Sequence, residues 1–225
     1  MAKVHGVAGE WARVKGTVWG LWPLFLGMFV LGLSVALMLA WSVLWGGLLF
    51  VASLVFVGWS VGRGLRHVER YFKGARGEEK VSGILQGLPD AYHVYNDFVA
   101  KGCHIDHVVV GPAGVFAVET KFWRGTVTVE RGDILLNGDL PDRSPLFQVI
   151  REANLVKAEL QRQGWSGDVT PVLVFASDTF EAKIAEIQGA VVLNANHLRA
   201  SFDTDRVVIF PAELERLTRM MELNG

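Results

Sequence analysis

His104-Ile105-Asp106-His107-Val108-Val109-Val110, then Gly111-Pro112-Ala113-Gly114, then Val115-Phe116-Ala117-Val118-Glu119-Thr120-Lys121 is the stretch that decides the fold. Branched and aromatic residues on both sides of a Gly/Pro cluster predict a β-hairpin. With residues 111–114 as a four-residue turn, Val110 faces Val115. Stepping outward pairs Val109 with Phe116, Val108 with Ala117, His107 with Val118 and Asp106 with Glu119. Opposed Cβ atoms stand about 4.5–5.5 Å apart, so two like charges meet there and need a cation. Residues two apart on a strand share a face, so His104, Asp106, Glu119 and Lys121 project together. Ile105, Val109, Phe116 and Val118 project to the other side and fill a core. His104 and His107 face opposite ways, which argues against a joint histidine metal site.

This set suits metal-assisted phosphodiester hydrolysis. A hard ion such as Mg²⁺ or Mn²⁺ takes carboxylate and water ligands and leaves positions for phosphate. Asp106 and Glu119 could hold it, and Lys121 could orient the attacking water or neutralise charge developing on the phosphate. Glu-x-Lys alone occurs by chance in many strands as a solvated edge; Asp106 opposite Glu119 gives the triplet its weight.

Around the hairpin, Val81, Ile84, Leu85 and Leu88 recur at helical spacing, and Glu78 falls on the stripe of Leu85. Strand-like runs follow at 92–95, 126–130 and 134–136. Ser144-Pro145 has the form of a helix start, with Val149, Ala153, Val156 and Leu160 as its apolar stripe. Strands are expected at 172–175, 191–193 and 207–210, and a last helix at 212–221. Helices and strands in this order predict an α/β (α+β) domain with a central mixed sheet flanked by helices. Phe122-Trp123-Arg124 either stacks on a base or closes the end of the sheet by packing.

Thr17 to Gly62 holds 46 residues without Asp, Glu, Lys, Arg or His. A bilayer span needs about 20 apolar residues, so two transmembrane helices with a turn near Ala40 to Trp45 are expected. Trp19, Trp22 and Trp59 mark one interface, Trp41 and Trp45 the other. Gly32 to Ala36 and Gly58 to Gly62 offer small-residue spacings for helix association. The run exceeds the apolar core of a cleaved signal peptide. Lys3, Arg13 and Lys15 precede it, Arg63, Arg66, Arg70 and Lys73 follow it, and the turn has no basic residue. The expectation is a multi-pass protein of the cell (inner) membrane with both termini and the C-terminal domain cytoplasmic. Its parts are then an N-terminal segment 1–16, a hairpin 17–62, a basic juxtamembrane linker 63–76 broken by Gly74-Ala75-Arg76-Gly77, and a domain 77–225.

Only Glu10 of the 23 acidic and Lys3, Arg13 and Lys15 of the 22 basic residues precede Arg63, so residues 63–225 carry 22 acidic and 19 basic side chains, a net charge of −3. That excludes a generally basic nucleic-acid binder and leaves phosphate contact to a local patch or to metal ions. Cys103 is the single cysteine, so no internal disulfide forms, which suits a reducing compartment.

Gly77-Glu78, the block from His104 to Lys121, Gly125 and Ser144-Pro145-Leu146-Phe147-Gln148 closely resemble the nuclease-related domain, the NERD family, from about Gly74 to Phe175. The resemblance implies a PD-(D/E)XK restriction-endonuclease-like fold that binds a divalent metal and cuts DNA. It implies Asp106 as the first acid, Glu119 and Lys121 as the following pair, Glu78 as the acid of the opening helix and Gln148 as the polar residue of the later one. Two functions are then open: a membrane-anchored Mg²⁺-dependent nuclease, or a catalytically silent membrane-tethered nucleic-acid-binding or scaffold module. The partners expected are the lipid bilayer and nucleic acid, DNA before RNA.

Overall fold

The computed structural model describes residues 1–177, 180, 184–202 and 206–223; the expected domain end at residue 225 lies outside them. Two compact units form, residues 10–75 and residues 1–9 together with 76–225.

The first unit is a pair of helices. α1 spans Glu10–Ala40 and α2 spans Val43–Gln86, so the turn falls at Trp41-Ser42 as expected. Their most apolar 18-residue windows have mean hydropathies of 2.3 and 1.9, yet only 11% and 17% of those windows is buried. A core helix of a soluble protein would be mostly covered; these are long and apolar enough to cross a membrane. The helices meet along a glycine seam. A Cβ on Gly64 would lie 2.3 Å from the Gly20 carbonyl oxygen, one on Gly16 2.4 Å from Tyr71 Cβ, and one on Gly27 2.8 Å from Val57 Cγ2. A Cβ on Gly32 or Gly58 would meet nothing within 4 Å among the described residues beyond its own stretch of helix. The seam therefore runs through Gly16, Gly20 and Gly27 rather than the expected spacings.

α2 passes unbroken through Gly74-Ala75-Arg76-Gly77, where a linker was expected. A helical glycine costs about 1 kcal/mol relative to alanine. Burial of Val81 and Leu85 further along the same helix outweighs that, and Gly77 lets Phe122 and Ala176 come within 3.1 and 3.4 Å of where its Cβ would stand.

The second unit is built on β1 (Lys3–His5), β2 (His93–Ala100), β3 (Cys103–Gly111), β4 (Gly114–Lys121), β5 (Val127–Glu130), β6 (Asp133–Leu136), α3 (Pro145–Arg162), β7 (Val169–Phe175), β8 (Ile184–Ile187), β9 (Ala190–Asn194), α4 (Leu198–Ser201) and α5 (Pro211–Glu222). Seven strands make a mixed sheet in the order β1-β2-β3-β4-β7-β9-β8, and β5 and β6 pair separately. β4, β7 and β9 run parallel, with α3 crossing between β4 and β7. Hairpin loops Lys101-Gly102, Arg131-Gly132 and Gln188-Gly189 all have positive φ at both positions, the backbone that suits strand twist.

One face packs Val108, Val110, Val115 and Ala117 against Ala153, Val156 and Leu160 of α3 and Leu217 and Met221 of α5. The other packs Val109, Val118, Val172 and Val174 against Val81 and Leu85 of α2 and Leu198 of α4. Ile105 joins the α3 face rather than that of Val109 and Val118. Asp97, at φ +50 in β2, interrupts the alternation of the β2–β3 pair there. Residues 207–210, expected as a strand, form none: the Val208 and Ile209 amides donate to the single Pro112 carbonyl, which anchors the segment without a ladder.

Candidate active site

The β3–β4 ladder pairs Val110 with Val115, Val109 with Phe116, Val108 with Ala117 and His107 with Val118, the register worked out from the sequence. Gly111 also pairs with Gly114, so the loop proper is only Pro112-Ala113. The ladder closes at His107. Beyond it Asp106 uses its side chain instead, accepting from the Thr120 amide at 2.7 Å. That bond holds the Asp106 carboxylate against the end of β4, beside Glu119.

Glu119 is buried and its Oε1 accepts twice, from Lys121 Nζ at 2.5 Å and from Gln148 Nε2 at 2.8 Å. Gln148 Oε1 accepts from Lys121 Nζ at 2.9 Å, which closes a triangle of three side chains. The helix start makes this possible. Ser144 Oγ accepts from the Phe147 amide and Pro145 opens α3, so Gln148 lies one turn in and faces β4. One turn further, Glu152 Oε1 accepts from Gln148 Nε2 at 2.9 Å, while its buried Oε2 has no hydrogen-bond partner among the described residues.

Glu78 approaches from α2. It is buried and accepts a hydrogen bond from the Gly9 backbone. Burial, with Asp97 and Glu119 nearby, pushes its carboxyl up to about 7. Burial and Glu119 push Glu152 up to about 8. Burial, Glu119 and Glu78 raise Asp106 well above the usual carboxylate range, against the pull of the Thr120 amide and Lys121. Burial alone would lower Lys121, but Glu119, Asp106 and Glu152 outweigh it and raise the ammonium, which stays charged. All five predicted site residues, Asp106, Glu119, Lys121, Glu78 and Gln148, thus meet electrostatically or by hydrogen bonds.

Two members were not foreseen. Glu152 reads in sequence as an ordinary polar helix residue, yet it follows Gln148 by four and so shares its face. Asp97 lies in a polar pair, Asn96-Asp97, that looked like the end of a strand. Other candidates fall to packing. The Trp123 ring sits 5.5 Å from Phe175 and its carbonyl accepts from Ser177 Oγ. His107 donates from Nδ1 to Asn96 Oδ1 at 2.8 Å, and burial lowers it to about 3, so it is neutral. Burial and Glu152 raise the Cys103 thiol, the opposite of an activated nucleophile.

Among the described residues no three His, Cys, Asp or Glu side chains converge as a ready-made cage for an ion. Mg²⁺ and Mn²⁺ need no such cage: one or two carboxylates suffice when waters and phosphate complete the shell. The donor chemistry fits: Asp106, Glu119, Glu78 and Glu152 crowd around one ammonium, and the raised carboxyls of Asp106, Glu78 and Glu152 are groups that a divalent cation would favour in ionised form.

Residues 73–176 match the sequence profile of the nuclease-related domain. This part of the chain is a nuclease-related domain. The match contains the opening acid Glu78, the β3–β4 hairpin, Gln148 and Glu152. No curated protein and no solved structure matches the chain. The NERD region ends at Ala176, so α4, α5 and the N-terminal strand lie outside it.

Proposed function

We propose that the chain is a membrane-anchored, divalent-metal-dependent nuclease that hydrolyses phosphodiester bonds of DNA with a PD-(D/E)XK-type site. The observation that carries this reading is Lys121, fixed between Glu119 and Gln148 next to Asp106. Asp106 and Glu119 would hold Mg²⁺ or Mn²⁺, which when bound supplies charge neutralisation at the phosphate and a more acidic water. Lys121 Nζ donates to the attacking water or to a phosphate oxygen, and its two fixed acceptors aim it. Gln148 keeps Glu119 and Lys121 in register, and Glu78, tethered by Gly9, is a further carboxyl that gives up its proton more readily once a cation is bound nearby.

Anchoring rests on α1 and the first part of α2, with basic residues on both flanks of the uncharged run placing the ends in the cytoplasm. The silent, membrane-tethered scaffold has one point in its favour, the net charge of −3 over residues 63–225. The deciding experiment uses the full chain in detergent, on duplex and single-stranded DNA and RNA, with Mg²⁺, Mn²⁺ or chelator. DNA cleavage that needs the metal and disappears in Asp106→Asn and Lys121→Ala supports the nuclease. A folded protein that binds neither metal by calorimetry and cuts nothing is the scaffold.

A further inference from the structure

The helix pair of residues 10–75 borders a half-open cavity of about 330 Å³. Its lining combines three nitrogen bases with aromatic walls: Lys15, Arg63 and His67, with Trp19 and Trp59; no carboxylate takes part. Lys15 Nζ lies 4.0 Å from the Trp11 ring centroid and the Arg63 guanidinium 5.2 Å from that of Trp59. Such contacts hold the cations in place while leaving N–H groups for another acceptor.

Two buried polar atoms point to what the cavity accepts. Ser60 Oγ and His67 Nε2 are buried and have no hydrogen-bond partner among the described residues, and both residues line the cavity. Ser34 and Ser53 on the same helices donate back to the carbonyls of Leu31 and Phe50, the usual recourse of a helical serine in apolar surroundings. Ser60 does not. Pro23, also in the lining, has no N–H and cannot donate to the Trp19 carbonyl one turn earlier. Two buried polar atoms and one carbonyl that Pro23 cannot serve thus belong to residues bordering, or one turn from, a space flanked by positive charge.

We propose that this cavity binds the headgroup of an anionic phospholipid. Arg63 and Lys15 neutralise the phosphate, Ser60 and His67 donate to its oxygens, and the Trp19 carbonyl can accept from a headgroup hydroxyl. The proposal rests on residues 17–62 crossing the membrane. Lys15 and Arg63 then stand at headgroup depth, where cations between spans meet anionic lipid. Exposed Trp22, Phe25 and Phe29 extend an apolar surface along α1 that suits acyl chains and that free phosphate has no use for.

The test reads lipid retention by native mass spectrometry of the full chain in micelles supplied with equal phosphatidylglycerol and phosphatidylcholine. Each basic side chain near an anionic surface is worth a factor of about five, so the pair predicts a preference of about twenty-five-fold for phosphatidylglycerol. Lys15→Gln with Arg63→Gln should remove that preference, Arg63→Lys should retain most of it, and Ser60→Ala should weaken it. Equal retention of both lipids, or an unchanged preference in the double variant, overturns the proposal. Displacement of the lipid by millimolar inorganic phosphate overturns it in favour of a free-phosphate site. Flotation with pure phosphatidylcholine vesicles reads the membrane span independently, so a failure of that reading is told apart from a failure of the site.

Discussion

Glu152 keeps one buried carboxyl oxygen without a hydrogen-bond partner among the described residues, and Glu78 can ionise only against burial and the charges of Asp97 and Glu119. Both carboxyls are lifted from 4.5, to about 8 and about 7, and Asp106 is lifted too. The folded protein therefore holds protons that the unfolded chain has already shed, and its stability falls as pH rises between about 5 and about 8. In chelator, the melting temperature of the nuclease-related domain should drop across that window, and millimolar Mg²⁺ should flatten the drop. A chelated protein whose melting temperature is flat or rises over that range would contradict the crowding of these acids. Glu152→Gln should raise metal-free stability at pH 8 by about 1 kcal/mol and reduce the pH slope, since it removes a like charge beside Glu119. Lys121→Ala acts in the other direction. It leaves Glu119 buried without its cation, at a cost of about 2 kcal/mol in chelator. A melt of the variant with Mg²⁺ should recover part of the loss; no loss in chelator would mean that Lys121 does not balance Glu119.

At the scale of elements, β1 is the piece that ties residues 1–9 to the sheet. It pairs Lys3, Val4 and His5 with His93, Val94 and Tyr95 of β2, the Asn96 amide donates to the Gly6 carbonyl, and Gly9 bonds Glu78. Gly6 sits at φ +74, and a Cβ there would lie 2.8 Å from the Asn96 carbonyl oxygen. Gly6→Ala should therefore lift β1 from β2 at a cost of about 1–2 kcal/mol, a fall in melting temperature of roughly 3–6 °C. An unchanged melt would mean that β1 contributes little. The sequence carried other elements plainly. Val and Phe alternation about one Gly-Pro-Ala-Gly cluster fixed the β3–β4 register, and Ser144-Pro145 with a four-residue apolar stripe fixed α3 and brought Gln148 to Glu119. Three-residue β1 has no alternation to read, and β8 offers only Ile184 to Ile187. The expected run stops at Tyr95, ahead of the polar Asn96-Asp97, although Asn96 bonds His107 across the sheet. Glu152 was hidden for another reason: helical periodicity says which face a residue occupies, but not that the face looks onto acids.

Over the whole molecule, the order in which the chain visits its two units limits its topology. The chain leaves the sheet after residue 9, forms the two long apolar helices and re-enters the same compact unit at residue 76. Strand β1 cannot pair with β2 across a bilayer, so if residues 17–62 insert, they must cross an even number of times. Each helix is long enough for one crossing, and two crossings put the Trp41-Ser42 turn on the far side. The prediction is made on the full chain with Cys103→Ser, carrying one new cysteine at a time. Lys3→Cys and Glu222→Cys should both be shielded from a membrane-impermeant maleimide in intact cells and labelled after permeabilisation, while Ser42→Cys should be labelled in intact cells. If Lys3→Cys and Glu222→Cys label on opposite sides, the sheet that joins residues 3–5 to 93–95 cannot exist in the membrane-bound protein. If both label from outside while Ser42→Cys is shielded, the sheet stands but the nuclease-related domain faces away from cytoplasmic DNA, and the orientation set by Lys15, Arg63 and their basic neighbours is reversed.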